Sequence, residues 1–150
     1  YEMKQSGAVF IAEDDDAIRT LLIQQLSYEG FDVLGASDGE KALHLIEQTP
    51  GPYFVLISDF DMPNMNGEEL IQEIESSDRR FAANILLSAH PQWHPSVIRV
   101  LSMQTKAPIY FFNKPFQNRS ISHLLHSLGA RLGHRSQAIS TLMATSSSTL

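Results

Sequence analysis

The chain has 150 residues, 43% of them hydrophobic, and no cysteine, so it suits one compact domain around one core and excludes disulfides, thiolate catalysis and Cys-ligated metal centres. No apolar run approaches the roughly 18 residues of a membrane span and nothing at its start reads as a signal peptide, so a cytoplasmic protein with no membrane insertion is expected. All 17 acids lie at or before Asp78, against Lys4, Arg19 and Lys41, whereas residues 79–150 hold no acid and eight of the 11 lysines and arginines; the net charge of −6 gives no reason to expect direct nucleic-acid binding, but one face should be basic.

The elements alternate along the chain. Ala8–Ala12 is a short continuous apolar run, read as a buried strand. Asp15 or Asp16 caps a helix whose apolar residues are Ile18, Leu21, Leu22 and Leu26, and Gly30 stands where a helix C-terminal glycine belongs. Residues 31–36 read as a second strand. Ser37-Asp38-Gly39 opens a helix with Ala42, Leu43, Leu45 and Ile46 inside, which Pro50-Gly51-Pro52 stops. Tyr53–Ser58 is the third strand, followed by a turn over 61–67 and a helix over 68–77. Residues 84–89 form the fourth strand, 95–104 a helix, 109–113 the fifth strand, and 118–132 a last helix with Ile121, Leu124, Leu125, Leu128 and Leu132 on one stripe. A lead of 1–7 and a Ser/Thr-rich tail of 134–150 flank a domain of 8–133. Strands alternating with helices mean an α/β domain with a parallel sheet.

In such sheets ligands bind beyond the C-terminal ends of the strands. Strand one ends in Glu13-Asp14-Asp15-Asp16, strand three in Asp59-Phe60-Asp61, strand four in Ser88-Ala89-His90 and strand five in Lys114-Pro115-Phe116. One or two acids at a helix N-terminus serve the helix dipole, for roughly 0.3–1 kcal/mol each. Four in a row facing a further Asp repel one another, and a hard divalent cation relieves this. Beside a metal, Asp59 is a ligand or a carboxylate nucleophile toward a phosphoryl group. Lys114 is a surface lysine unless it faces Asp59, and Ser88 is a small strand residue unless a phosphoryl oxygen arrives near it. Pro115 allows a cis turn that fixes the lysine's direction. His90 and His94 are separated by Pro91, so they read as loop histidines rather than a transition-metal pair.

These marks, in this order and on these elements, resemble the receiver domain of two-component response regulators. The resemblance covers about residues 8–132 and rests on Glu13-Asp14-Asp15, on Asp59 with Met62-Pro63 and Gly67, on Ser88-Ala89 and on Lys114-Pro115-Phe116. It implies a flavodoxin-like, doubly wound, five-stranded parallel sheet in the order 2-1-3-4-5 with five helices. It implies that Asp59 accepts a phosphoryl group from a phosphohistidine of a sensor histidine kinase or histidine phosphotransfer protein. It further implies that Asp14, Asp59 and the backbone carbonyl of Asp61 bind Mg²⁺ (or Mn²⁺), with Glu13 acting through water. Lys114 is then the phosphate partner, Ser88 the mobile hydroxyl and Phe111 the aromatic switch. Such a chain is a switch rather than a turnover enzyme.

The chain departs from that pattern in places. Asp61 and His90 flank the expected path of an attacking water, where they would tune dephosphorylation. The stretch from Ser88 to Lys114 is a few residues long for the family, with Trp93 inside it. Three rivals stand beside this reading. A haloacid-dehalogenase-type phosphatase fails because no acid follows Asp78. A toprim-like metal nuclease leaves Ser88 and Lys114 unexplained. A docking-only receiver does not need the complete set of acids, hydroxyl and lysine. The residue 95–133 face, with Arg99, Lys106, Arg119 and Arg131, is expected to be uniformly basic and to dock an acidic partner or a second copy. The chain reads as a stand-alone regulator or as a receiver cut from a larger protein.

Overall fold

A computed structural model describes residues 7–130. The elements are β1 (Ala8–Ala12), α1 (Asp16–Tyr28), β2 (Asp32–Ala36), α2 (Gly39–Gln48), β3 (Tyr53–Asp59), α3 (Gly67–Glu75), β4 (Ala83–Ser88), α4 (Pro95–Leu101) and β5 (Ile109–Asn113), followed by helix α5 over 118–130. The five strands are parallel, in the order β2-β1-β3-β4-β5. The topology reverses between β1 and β3, which opens a crevice above their C-terminal ends. The expected end of the last helix at Leu132 and the tail of 134–150 lie outside the described residues.

The sheet is buried on both faces, and for that reason its strands read as apolar runs rather than alternating ones. Val9, Ile11, Val55, Ile57, Ile85 and Leu87 pack with Leu22 and Leu26 of α1 and with Ile121, Leu125 and Leu128 of α5. Phe10, Leu56 and Leu86 pack on the other face with Ala42 and Ile46 of α2, with Leu70, Ile71 and Ile74 of α3, and with Val100 of α4. A register slip between β1 and β3 pairs Ala8 with Tyr53 but Val9 with Val55. It brings Phe54 onto the same side as Val55, a detail that strand periodicity does not show.

The helix starts follow local hydrogen-bond chemistry. Asp15 caps α1 by accepting from Ile18 N, and Asp38 caps α2 by accepting from Lys41 N. Asn66 and Glu69 form a reciprocal capping box on α3. Gly30 closes α1 with φ of +99°, a conformation that favours glycine. Of the apolar residues of α1, Leu21 is 56% exposed. It lies about 100° around the helix from Leu22, and it is Leu22 and Leu26 that fill the core. Helix α4 ends three residues before the expected Gln104, closed by Ser102 N and Met103 N donating to Ile98 O and Val100 O.

Candidate functional site

Parallel registers bring four strand ends to one rim. Glu13 N donates to Ala36 O, Phe60 N to Leu87 O and Lys114 N to Ser88 O, so each ladder continues into the residues that carry the chemistry. Glu13 and Asp59 are buried and Asp14 is exposed. One carboxylate oxygen of each lies within 4.8 Å of the others. Lys114 Nζ stands 2.8 Å from Glu13 Oε1 and 3.1 Å from Asp59 Oδ2. The lysine that could have been a surface residue therefore faces Asp59, and the Lys114–Pro115 bond is cis.

The electrostatics follow from burial. Loss of solvent and the neighbouring Glu13 carboxylate push the Asp59 carboxyl up to about 7, against the opposing pull of Lys114. Burial disfavours the Lys114 ammonium, but its contacts with Glu13 and Asp59 outweigh this and hold its pKa above the usual lysine value. Glu13 Oε1 has this ammonium as counter-charge but no aligned hydrogen-bond donor. Three carboxylates against one ammonium leave surplus negative charge, and the donors are all hard oxygens. That set fits Mg²⁺ or Mn²⁺ and not a soft metal.

Ser88 is fully buried, and its Oγ accepts from His90 N at 2.9 Å. His90 Nε2 lies 3.0 Å from Asp61 Oδ2 across the rim, so the two departures from the family pattern meet. The His90 and His94 rings stack at 4.3 Å. His94 caps α4, its Nδ1 accepting from Ser96 N, which is a packing and capping role. Phe111 is half-buried against the core under α2, α3 and α4.

The loop between β3 and α3 is fixed from beneath. Gly67 N donates to Phe60 O at 2.8 Å, and a Cβ on Gly67 would collide with the Asp59 carbonyl. Asn64, at φ of +69°, donates to Asp38 Oδ2 at 2.9 Å, and Gly39 N donates to Met65 O. Asp38 is buried, and hydrogen bonds from Lys41 N, Asn64 Nδ2 and Glu40 N, with the Lys41 charge, overcome its desolvation and hold its pKa below the usual Asp value. The sequence marks Asp38 only as a helix opener. Two further residues have no sequence signal for their roles. Arg19 donates to Glu13 O at 2.7 Å. Asn113, a polar residue closing an apolar strand, donates to Ser88 O at 2.8 Å and to His90 O at 2.9 Å.

The residue 95–133 face is not uniformly basic. Arg99 forms a two-pronged ion pair with Glu68 of α3 (2.6 and 2.8 Å), and Glu29, the C-cap of α1, reaches Ser122 and His126 of α5. Arg119 is exposed, and Arg131 lies outside the described residues. A groove of about 420 Å³ beside the rim is lined by Ile18, Leu21, Lys114, Pro115, Phe116 and Asn118. A wider depression of about 710 Å³ at Pro52, Tyr53 and residues 77–80 lies at the N-terminal ends of the strands, away from this chemistry. Among the described residues no helix is long and apolar enough to cross a membrane.

Comparison with known proteins agrees with this geometry. Residues 9–126 match the response regulator receiver domain family. The chain is 32% identical over 113 residues to the transcriptional regulatory protein CpxR of Klebsiella pneumoniae, covering 75% of this chain and 45% of that protein. It is 32% identical over 76 residues to the sensor kinase CckA of Brucella abortus, covering 51% and 8%. The receiver domain of a Francisella response regulator superposes with a TM-score of 0.70 at 26% identity, covering 83% of this chain and 98% of that one. The chain thus spans less than half the length of these two curated relatives. Fold, strand-end residues and matches converge: the chain belongs to the response regulator receiver domain family of two-component signalling.

Proposed function

We propose that Asp59 takes a phosphoryl group from a phosphohistidine of a sensor histidine kinase or histidine phosphotransfer protein, and that the modified domain then presents an altered face to a partner. The observation that carries this is the Lys114 ammonium within 3.1 Å of a buried strand-end carboxylate and 2.8 Å of a second. An Asp59 carboxylate oxygen forms the new P–O bond as the P–N bond of the donor breaks, its electron pair leaving with the imidazole. Lys114 offsets charge on the accepting carboxylate and then on the phosphoryl oxygens. Ser88 moves to donate its hydroxyl to one of those oxygens, and the Phe111 ring turns inward as it does so. Asp14, Asp59 and the Asp61 carbonyl, with Glu13 through water, would hold Mg²⁺ or Mn²⁺; when bound, the ion neutralises phosphoryl charge and favours ionised Asp59. Asp61 and His90 flank the approach of water and set the lifetime of the phosphorylated state. The unit of 8–133 acts as a cytoplasmic switch, not a turnover enzyme.

The donor reaches Asp59 along the apolar groove at Leu21 and Phe116, because Lys114 forms one of its walls. The output partner, acidic or a second copy, meets the 95–133 face through Arg119. Belonging to the receiver family leaves the phosphatase and nuclease readings without support. Mass spectrometry after treatment with Mg²⁺ and acetyl phosphate tests the proposal. One base-labile phosphoryl group on the wild type and none on Asp59→Asn is expected; equal labelling would sink it.

A further inference from the structure

We infer that Asn113 is a positioning residue: it holds the Ser88–His90 loop in its resting place and sets how readily modification of Asp59 moves that loop. The inference rests on the phosphoacceptor reading and deepens it. Asn113 is the last residue of β5 and pairs in register with Ser88. Its Nδ2 donates to Ser88 O at 2.8 Å and to His90 O at 2.9 Å. Both partners are carbonyls, so only the amide nitrogen can serve them, and its two hydrogens match two acceptors. Ser88 O also accepts from Lys114 N at 2.7 Å, so the last residue of β5 and the one after it grip one carbonyl. Within the loop, His90 N donates to Ser88 Oγ. The hydroxyl, the two carbonyls and the amide of residues 88–90 thus form one hydrogen-bonded unit. A shift of the Ser88–His90 backbone that carries the hydroxyl toward a phosphoryl oxygen must draw both clamped carbonyls along or break the clamp. The same β5 terminus sends Lys114 Nζ to Asp59, so one strand end contacts both the phosphoacceptor and the loop that answers it.

A tie that only stabilised the strand end would leave the balance between resting and moved loop unchanged. A clamp biases it, because a ligand that binds the moved state has its apparent affinity reduced by the fraction of molecules in that state. Loss of one or two neutral hydrogen bonds should raise that fraction roughly three- to tenfold. Trp93, the chain's single tryptophan, is 74% exposed and lies in the same loop ahead of α4, so its fluorescence reports the loop directly.

The experiment titrates beryllofluoride, a phosphoryl mimic, into the whole chain with Mg²⁺. It follows Trp93 emission and, independently of that residue, the ¹⁹F resonance of the bound anion. Wild type is compared with Asn113→Ala and with Asn113→Thr, which keeps a good strand former but offers one hydroxyl for two carbonyls; circular dichroism confirms folding. The midpoint should fall about three- to tenfold in Asn113→Ala, and in the same direction in Asn113→Thr should the alanine variant not fold. Unchanged or raised midpoints in the folded variants overturn the clamp. An Asp59→Asn arm separates the two claims: saturable binding that survives it overturns the phosphoacceptor reading itself, whatever Asn113 does.

Discussion

Asp59 is held between opposing demands. Its pKa, raised to about 7 by burial and by Glu13, lies well above the roughly 3.9 of an unfolded Asp. Without metal, the folded chain therefore keeps a proton that the unfolded chain has already released between about pH 4 and 7. The contribution of this group to stability is complete below about pH 4 and falls as pH rises toward 7. Asp59→Asn should abolish that fall. In EDTA, the wild type should lose several degrees of melting temperature relative to the variant between about pH 5 and 8, and Mg²⁺ should return more stability to the wild type. Parallel pH profiles would remove the burial argument. The repulsion expected of the four-acid run is concentrated on Glu13 and Asp59, because Asp14 is exposed and solvent and salt screen it.

Among the elements, α1 divides its apolar residues between two tasks. Leu22 and Leu26 fill the core, whereas Leu21 stands at the groove beside Lys114. Leu21→Asp should therefore leave the melting temperature nearly unchanged. It should leave the labelling rate with acetyl phosphate intact and slow transfer from a phosphorylated histidine phosphotransfer protein about tenfold, the weight of one apolar anchor. Equal slowing with both donors would place Leu21 in the chemistry rather than in docking. Helix α3 makes the opposite kind of demand, since its first residue must be small. Gly67→Ala pushes a methyl group into the Asp59 carbonyl, and overpacking of that kind typically costs about 1–3 kcal/mol. Urea unfolding with and without Mg²⁺ reads the cost, and a shrunken Mg²⁺ response would show that the phosphoacceptor has shifted.

For the whole molecule, the charge split in the sequence becomes an acidic rim on β1 and β3 and a basic side interrupted by Glu68 and Glu29. Arg119, exposed on α5, is the better probe of partner docking. Arg119→Glu should weaken binding of an acidic partner and flatten its salt dependence between roughly 50 and 300 mM. Arg99→Glu instead sets like charges against each other at Glu68 and should lower stability before it affects binding. The strands, and the acids that meet at their ends, were legible because buried parallel strands give uninterrupted apolar runs and their ends carry the polar chemistry; the strand order came only with the family resemblance, since apolar runs carry no record of which strands are neighbours. Asp38, Asn113 and the Arg99–Glu68 pair were not legible. Each joins residues about 25 or more apart in the chain, and no local pattern records where a side chain ends after folding.

The hydrogen bonds that cross the rim also form a girdle. Asp38 at the start of α2 takes Asn64; from the same loop Asp61 meets His90; and the His90 carbonyl takes Asn113 at the end of β5. The loops above the sheet are thereby laced together from the β2 side to the β5 edge, independently of the strand ladder below them. Loss of the Asp38 carboxylate, which would pass in a stability screen for a missing helix cap, also unfastens one end of this girdle. Its signature would be a changed environment of Trp93, some 55 residues further along the chain, in the loop that carries the His90 link.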